Sequence, residues 1–332
     1  MPITTKQIAE ICHVSRGTVD RALNGRAGIS SKTRELIEET ARKYNYRPHL
    51  LASSLSRGKS MSIGVVFFDL KNRFFSQMSN AISLAARSRG YFTYIAVTEK
   101  DIESEKQILH NLASRRVDGL IMLPITQGKD FIRELKELEI PVVTVGNQLP
   151  GIHHVSIDEF RAAYDSAHYI SSAGYRRICF VCPPLRKKGF LDGRYNLTSQ
   201  EQRVQGFLAY TKKNSGMKYK VLTEKDFGAA AAEMIRKSKE KTAFFCSSDI
   251  YALDLLKYLG DHLISVPEDA GIMGFDNLDI LTYIKPRLAT VSVSIDEVGK
   301  KAMETLVDLI SGAKKPGHTC YVPYQICPGE TL

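Results

Sequence analysis

The sequence has no apolar run approaching the roughly 18 residues of a membrane-spanning helix, and its first ten residues, MPITTKQIAE, hold no hydrophobic stretch of the kind a secretory leader carries. A cytoplasmic location with no membrane partner is therefore expected. Cysteine is sparse: six (Cys12, Cys179, Cys182, Cys246, Cys320 and Cys327) are scattered over 332 residues, which does not fit a disulfide framework. The one CxxC, Cys179 to Cys182, falls in the run RICFVCP, which reads as a buried strand. Residues three apart on a strand point to opposite faces, so this pair neither chelates one metal nor forms a redox couple easily. The eight histidines (His13, His49, His110, His153, His154, His168, His262 and His318) show no metal-ligand spacing. His153 and His154, being adjacent, point to opposite faces of any strand they occupy. There is no GxGxxG, P-loop, GxSxG or HExxH, and no nucleophile with a base can be nominated. The expectation is a protein that is not an enzyme and holds neither cofactor nor metal.

What the chain does have is an uneven positive charge. At roughly 100–200 residues per domain the length allows two or three domains, and 43% hydrophobic with 25% charged residues is an ordinary globular composition. Forty-six lysines and arginines against 36 acids leave +10. Residues 1–60 alone carry eleven basic residues and five acids, more than half of the excess in under a fifth of the chain. Such a patch attracts a polyanion, although a basic solvated face has the same composition.

The same sixty residues read as three short helices around a small core. Thr4 is followed three residues later by Gln7, a capping-box spacing, and Ile8 and Ile11 are expected on one face. Ser15 caps a second helix with Val19, Ala22 and Leu23 as its apolar positions, ended by Asn24-Gly25. A third starts at Ser30 or Ser31 and turns Leu36, Ile37, Ala41 and Tyr44 inward. Two short helices joined by a tight turn form a helix-turn-helix, whose second helix presents its N-terminal side chains to the major groove. Here those are Ser15, Arg16, Gly17, Thr18 and Arg21: Arg16 and Arg21 suit guanine, Ser15 and Thr18 suit phosphate, and Gly17 leaves room. A small helical bundle with no DNA partner also has serine caps and surface arginines.

The runs TTKQIAEICHVSRGTVDRALN (residues 4–24), ISSKTR (29–34) and YNYRPHLLASSL (44–55) resemble, in order, the headpiece of the LacI/GalR family of bacterial transcription regulators. The resemblance implies a DNA-binding headpiece at residues 1–47 that also uses Thr4, Thr5, Asn24, Ser30, Thr33 and His49, followed by a hinge helix and linker at 48–61. In that family the hinge helix inserts a leucine into the minor groove, where an apolar wedge unstacks and kinks the duplex. Leu55 holds that place, with Ala52 one helical turn before it. Two positions depart from the family: Asp20 stands where a serine is usual, an acid that phosphate repels unless Arg16 or Arg21 pairs with it, and His49 replaces an asparagine.

From residue 63 onward short β-rich runs alternate with amphipathic stretches. Candidate strands are 63–68, 91–97, 119–123, 142–145, 177–182, 219–222, 243–247, 271–275 and 290–293. Continuous apolar strands separated by crossover helices argue for parallel sheets covered on both faces. About 270 residues of this pattern exceed one compact sheet. Two doubly wound lobes with a ligand crevice at the carboxyl ends of their strands fit length and pattern. Phe74-Phe75, VDGLI (117–121), IPVV (140–143), Asp158, GYRRI (174–178), RVQGF (203–207), Ser248-Asp249, Val266-Pro267, GFDN (274–277) and PRLATV (286–291) extend the resemblance over nearly the whole chain. It implies an α/β protein: a helix-turn-helix headpiece plus a periplasmic-binding-protein-like core at 62–332, with one lobe near 62–158 and 290–320 and the other near 159–289.

A polyhydroxylated ligand needs bidentate polar groups and an aromatic face. Arg203 supplies a planar donor fork and Asp276 accepts from hydroxyls; by resemblance both face the cleft. Ser199, Ser248 and Asp249 are further candidates, with Phe74, Phe75 and Phe227 as apolar walls, although Asp249 and Asp158 also suit helix caps. Arg73 and Gly146 depart from sugar-binding members by adding a cation and removing an acid, which, with Arg186, Lys187 and Lys188, suggests an effector carrying carboxylate or phosphate, although a solvated basic loop accounts for the same residues. The expected protein is thus a homodimeric regulator, more a repressor than an activator, of a pseudo-palindromic operator in double-stranded DNA. Its effector is a sugar, polyol or sugar phosphate bound between the lobes. The alternative is a cytosolic solute-binding or sensor protein with no transcriptional role. The tail after Pro323 lacks the heptads of a coiled-coil extension, so no tetramer is expected.

Overall fold

Each of the first three helices begins at the cap its sequence announces. In the computed structural model α1 (Thr5–Ile11) opens on a reciprocal pair: Gln7 N–H donates to Thr4 Oγ1, and Thr4 N–H donates to Gln7 Oε1 at 2.9 Å. Ser15 accepts from Thr18 N–H at 3.1 Å to start α2 (Arg16–Leu23), and Ser30 accepts from Thr33 N–H at 3.1 Å to start α3 (Ser31–Lys43). Each bond satisfies an N–H that the first turn leaves without an intrahelical partner. The structure describes residues 3–46, 58–184, 195–313 and 317–332 and falls into two separately packed units, Met1–Ser60 and Met61–Leu332. The expected hinge helix with His49, Ala52 and Leu55, and the basic residues Arg186, Lys187 and Lys188, lie outside the described residues.

Ile8, Val19 and Ile37 centre the core of the first unit, with Ala9, Cys12, Ala22 and Ala41 around them. Three residues expected inside are not: Ile11, Leu36 and Tyr44 are exposed. At about 100° per residue Cys12, not Ile11, comes round to the face of Ile8, and its Sγ donates to Thr40 Oγ1 at 3.3 Å. Ile37, Thr40 and Ala41 likewise occupy the inward stripe of α3, and Tyr46 packs at the edge of the cluster where Tyr44 was expected.

In the second unit six parallel strands form the sheet of the first lobe, in the order β11-β5-β4-β3-β1-β2. They are β1 (Ser62–Phe67), β2 (Phe92–Val97), β3 (Gly119–Met122), β4 (Val142–Val145), β5 (His153–Ser156) and β11 (Thr319–Tyr321). One face packs on α4 (Arg73–Arg87) and α11 (Ile295–Ile310) through Ile63, Val65, Phe67, Ile82 and Met303. The other packs on α5 (Ile102–Ser114) and α6 (Lys129–Glu137) through Val66, Met122, Leu109, Leu112 and Phe131.

The second lobe is built on β7-β6-β8-β9, also parallel: β6 (Arg177–Val181), β7 (Lys218–Leu222), β8 (Thr242–Cys246) and β9 (Ala270–Met273). Helices α7 (Glu159–Ser172) and α8 (Thr198–Lys213) cover one face, α9 (Phe227–Arg236) and α10 (Asp249–Asp261) the other. Cys182 belongs to the first of these interfaces and Cys179 to the second, as alternation along a strand requires. Burial pushes both thiols up to about 12.

The nine expected strands occur with ends shifted by at most two residues. Three short strands had no readable pattern: β5, β11 and β12 (Tyr324–Cys327) are three or four residues long and rich in polar side chains. β10 (Thr290–Val293) pairs antiparallel with β12, and Asp276 bridges to Ser292 beside it. Residues 290–293 therefore belong with the second lobe, and the crossing expected near 290 comes at 294. The tail returns there too, where Thr331 O accepts from Ile272 N–H at 2.7 Å. Among the described residues no helix is long and apolar enough to cross a membrane.

Candidate functional site

The headpiece gathers its candidates at the start of α2. Arg16, Gly17 and Arg21 are exposed and Thr18 is half-buried, while Val19 between them anchors the helix to the core. Gly17 and Arg21 are one turn apart on one face. A Cβ on Gly17 would meet only Ser15 Oγ at 3.7 Å, so packing does not require the glycine and the bare surface is available to a partner. Arg16 and Arg21 form no ion pair among the described residues. Asp20, expected to need one of them, pairs instead with Arg26 at 3.2 Å and accepts from Asn24 Nδ2 at 2.8 Å. The acid is thereby answered from the far end of α2 and both arginines stay uncommitted. Asn24 itself, offered as a DNA contact, has its amide engaged at the helix end. Thr4, Thr5, Ser30 and Thr33 lie at the starts of α1 and α3. Arg34, not anticipated, ties the headpiece together by donating to Ala22 O at 3.0 Å and Arg26 O at 2.7 Å.

The second unit contains a cavity of about 650 Å³ between its lobes. The first lobe contributes Phe68, Asp69, Leu123, Ile125, Gly146 and Asn147 from strand ends, and Phe74, Phe75 and Met78 from α4. The second contributes Glu159, Tyr195, Asn196, Ser199, Gln200, Arg203, Ser247, Ser248, Tyr251 and Asp276. These are the carboxyl ends of both sheets, where the strand loops diverge and leave room for a ligand.

Arg203 is the centre of the polar wall. It is 6% exposed; its Nε donates to Glu159 Oε2 at 2.7 Å, its Nη1 to Ser247 O, and Asp276 Oδ1 lies 3.8 Å away. The guanidinium carbon sits 3.7 Å from the centre of the Phe275 ring, a cation–π stack that fixes its plane. Burial would lower the arginine's pKa, but Glu159 and Asp276 more than restore it. Burial pushes the Asp276 carboxyl well up, Arg203 opposes this, and Asp249 and Glu159 add to it. Asp276 makes no side-chain hydrogen bond among the described residues. Ser247 Oγ and Gln200 Oε1, on the same cavity, are buried without a hydrogen-bond partner among the described residues.

Of the expected ligand residues, Arg203, Asp276, Ser199, Ser248, Phe74 and Phe75 line the cavity, although Ser248 also caps α10 and Ser199 Oγ donates to Asn147 Oδ1 at 2.9 Å. Two do not line it. Phe227 stands behind Tyr251, ring centres 5.3 Å apart. Asp249 is fully buried and structural: its oxygens accept from Leu278 N–H at 2.8 Å and from the Thr290 hydroxyl. Burial, opposed by these bonds, raises its pKa to about 7. Arg73 brings no positive charge into the cavity either, because its guanidinium is paired with Asp279 at the exposed surface. Among the described residues the walls carry three carboxyls (Asp69, Glu159, Asp276) and two cations (Lys100, Arg203).

Glu159 and Asn147 were missed. Glu159 follows a helix cap, Asp158, and nothing in a helix start shows which acid the fold will bury. Asn147 lies in a strand-end loop; its Nδ2 donates to Pro124 O at 3.1 Å and Asn196 O at 2.9 Å, joining the lobes.

Residues 4–49 match the model of the lacI family of bacterial regulatory proteins, and residues 167–332 match the periplasmic binding protein-like domain. Catabolite control protein A of Priestia megaterium is 28% identical over 337 residues, covering 98% of each chain, and the HTH-type transcriptional repressor CytR of Escherichia coli is 28% identical, covering 93% of this chain and 90% of CytR. Among solved structures, the lac repressor dimer bound to operator and the anti-inducer ONPF superposes with a TM-score of 0.85 at 22% identity, over 100% of this chain and 99% of that one. A LacI-family regulator from Enterococcus faecium with bound ribose superposes at 0.69 with 26% identity, over 81% of this chain and 98% of that one. The helix-turn-helix unit, the two-lobed core and these likenesses meet in one conclusion: the chain belongs to the lacI family of bacterial transcriptional regulators, DNA-binding proteins and not enzymes.

Proposed function

We propose that the chain is a repressor that binds a pseudo-palindromic operator as a homodimer and is controlled by a neutral, hydroxyl-rich effector, a sugar or polyol, held between its lobes. The observation that carries the effector class is the polar wall of the cavity: Ser247 Oγ and Gln200 Oε1 are buried there with no hydrogen-bond partner among the described residues, beside the Asp276 carboxyl, which is paired with Arg203 only at 3.8 Å. A buried polar atom with no partner costs about 1–3 kcal/mol; ligand hydroxyls answer both atoms and can donate to Asp276 as well. Among the described residues the lining cations argue against a phosphate, because Arg203 is already held by Glu159 and Lys100 stands over the Phe68 ring. Ribose bound to the Enterococcus faecium regulator is in keeping with this class.

For DNA, the uncommitted Arg16 and Arg21 at the start of α2 support major-groove reading. For the dimer, support comes from β2, the edge strand of the first lobe, which exposes Phe92 at 64% and Ile95 at 45%. An apolar unpaired edge is a pairing surface, and the lac repressor of similar fold was solved as a dimer on operator. The test is a thermal-shift screen of sugars, polyols, sugar phosphates and purines, followed by anisotropy titration of a selected duplex with and without each hit. A neutral hit that changes duplex affinity is expected; a sugar phosphate that shifts Tm more than its parent sugar overturns the neutral class. Removal of residues 1–60 is expected to abolish specific duplex binding and leave the ligand shift intact.

A further inference from the structure

Glu105 lies on α5, the layer of the first lobe facing away from α4 and α11, and is fully buried with no cation against it among the described residues. Its two oxygens act separately: Oε1 accepts from Ile125 N–H at 2.9 Å and Oε2 from Thr126 N–H at 3.0 Å. Burial raises its pKa and the two N–H donors hold it partly down. A carboxylate taken out of water without a counter-ion is costly, so these bonds define its place in the structure.

The loop it holds meets the other lobe. Ile125 lines the cavity, and its carbonyl accepts from Asn196 N–H at 2.7 Å. Thr126 and Tyr195 form an antiparallel bridge, and Pro124 O accepts from Asn147 Nδ2. Tyr195 and Asn196 immediately precede α8, the helix that carries Arg203. Ile125 and Thr126 are thus gripped from behind by a buried acid, while the Ile125 carbonyl and the Thr126–Tyr195 bridge meet the segment that leads into the ligand-facing helix.

We infer that Glu105 is a positioning residue for closure of the cleft: by fixing Ile125 and Thr126 it sets the strength of the bonds that hold 195–196, and hence α8, against the first lobe. The inference rests on the reading of the cleft as the sensing site, since closure matters only if the lobes respond to a ligand. It acts from outside the cavity and touches no ligand.

Glutamine keeps the volume of Glu105 but has one acceptor oxygen, and its amide would set an N–H against a backbone N–H. In hydrogen exchange of the full-length protein, Glu105→Gln is expected to speed exchange about fivefold or more in peptides covering both 124–127 and 195–199, with β1 unchanged. Glu105→Met, which removes both acceptor oxygens, is expected to give the same pattern. Leu109→Ala, on the same helix, lowers Tm without loosening 195–199. The inference is overturned if the Glu105 variants loosen 124–127 alone, or if Leu109→Ala loosens 195–199 equally. Should the Glu105 variants not fold, the wild type decides: in sub-denaturing urea the two segments are expected to open with the same midpoint, and separate midpoints overturn it. None of these readouts uses DNA or effector, so failure here is distinguishable from failure of the regulatory reading.

Discussion

Arg73 and Asp279 join the lobes by a two-pronged ion pair, Nε donating to Oδ1 and Nη2 to Oδ2, with both side chains about half exposed. Arg73 opens α4 of the first lobe and Asp279 follows β9 of the second. Exposed pairs contribute little to stability and are screened by salt. Arg73→Gln and Asp279→Asn are expected to leave Tm unchanged while altering the affinity of any ligand that requires closed lobes. High salt should make the wild type match the variants, which titration calorimetry at low and high ionic strength checks.

Arg203→Ala leaves Glu159 buried without its cation. A loss of about 3–5 kcal/mol is expected, a fall in Tm on the order of 10 °C. The double variant Arg203→Ala/Glu159→Leu recovers most of the stability and none of the ligand binding, which separates the structural and recognition roles of the pair.

Stability is expected to depend on pH through Asp249. Its folded pKa of about 7 lies above the unfolded value near 3.8, so between these limits the folded chain holds a proton that the unfolded chain has released. The associated stability is present in full below the lower value and is lost as pH rises through the upper one. Wild-type Tm should therefore fall more than that of Asp249→Asn between pH 5 and pH 8; parallel Tm profiles would contradict this.

Gly206, in the run RVQGF, shows why that motif is demanding. A Cβ there would stand 2.0 Å from Phe160 O, where α8 crosses the start of α7. Gly206→Ala is expected to cost about 1–3 kcal/mol or more, measured by urea unfolding. Gly260→Ala, on α10 with no atom within 4 Å of the added Cβ, is expected to be neutral or slightly stabilising.

On DNA, Arg16→Ala is expected to reduce specific affinity by about 1–3 kcal/mol while non-specific binding falls far less. Equal losses on specific and random duplexes would make Arg16 a phosphate contact.

The headpiece helices with their caps and nine of the strands were legible because each rests on local chemistry: a serine three residues before the N–H it accepts, or an apolar run bounded by turns. Cys179 and Cys182 fall on opposite faces by alternation alone. Arg203 and Asp276 were expected on the cleft by resemblance, and both line the cavity. What the sequence could not show is which polar group another segment occupies. Asp249, Asp276 and Glu159 are equivalent acids in the chain, yet only the assembled lobes send Thr290 and Leu278 to the first, turn the second onto the cavity at 3.8 Å from Arg203 and hydrogen-bond Arg203 to the third. Arg73 likewise reads as a cavity cation until Asp279, 206 residues away, takes its charge. Local propensity and periodicity determine the elements; burial and long-range pairing, which depend on atoms distant in sequence, decide which of their charges remain available to a ligand.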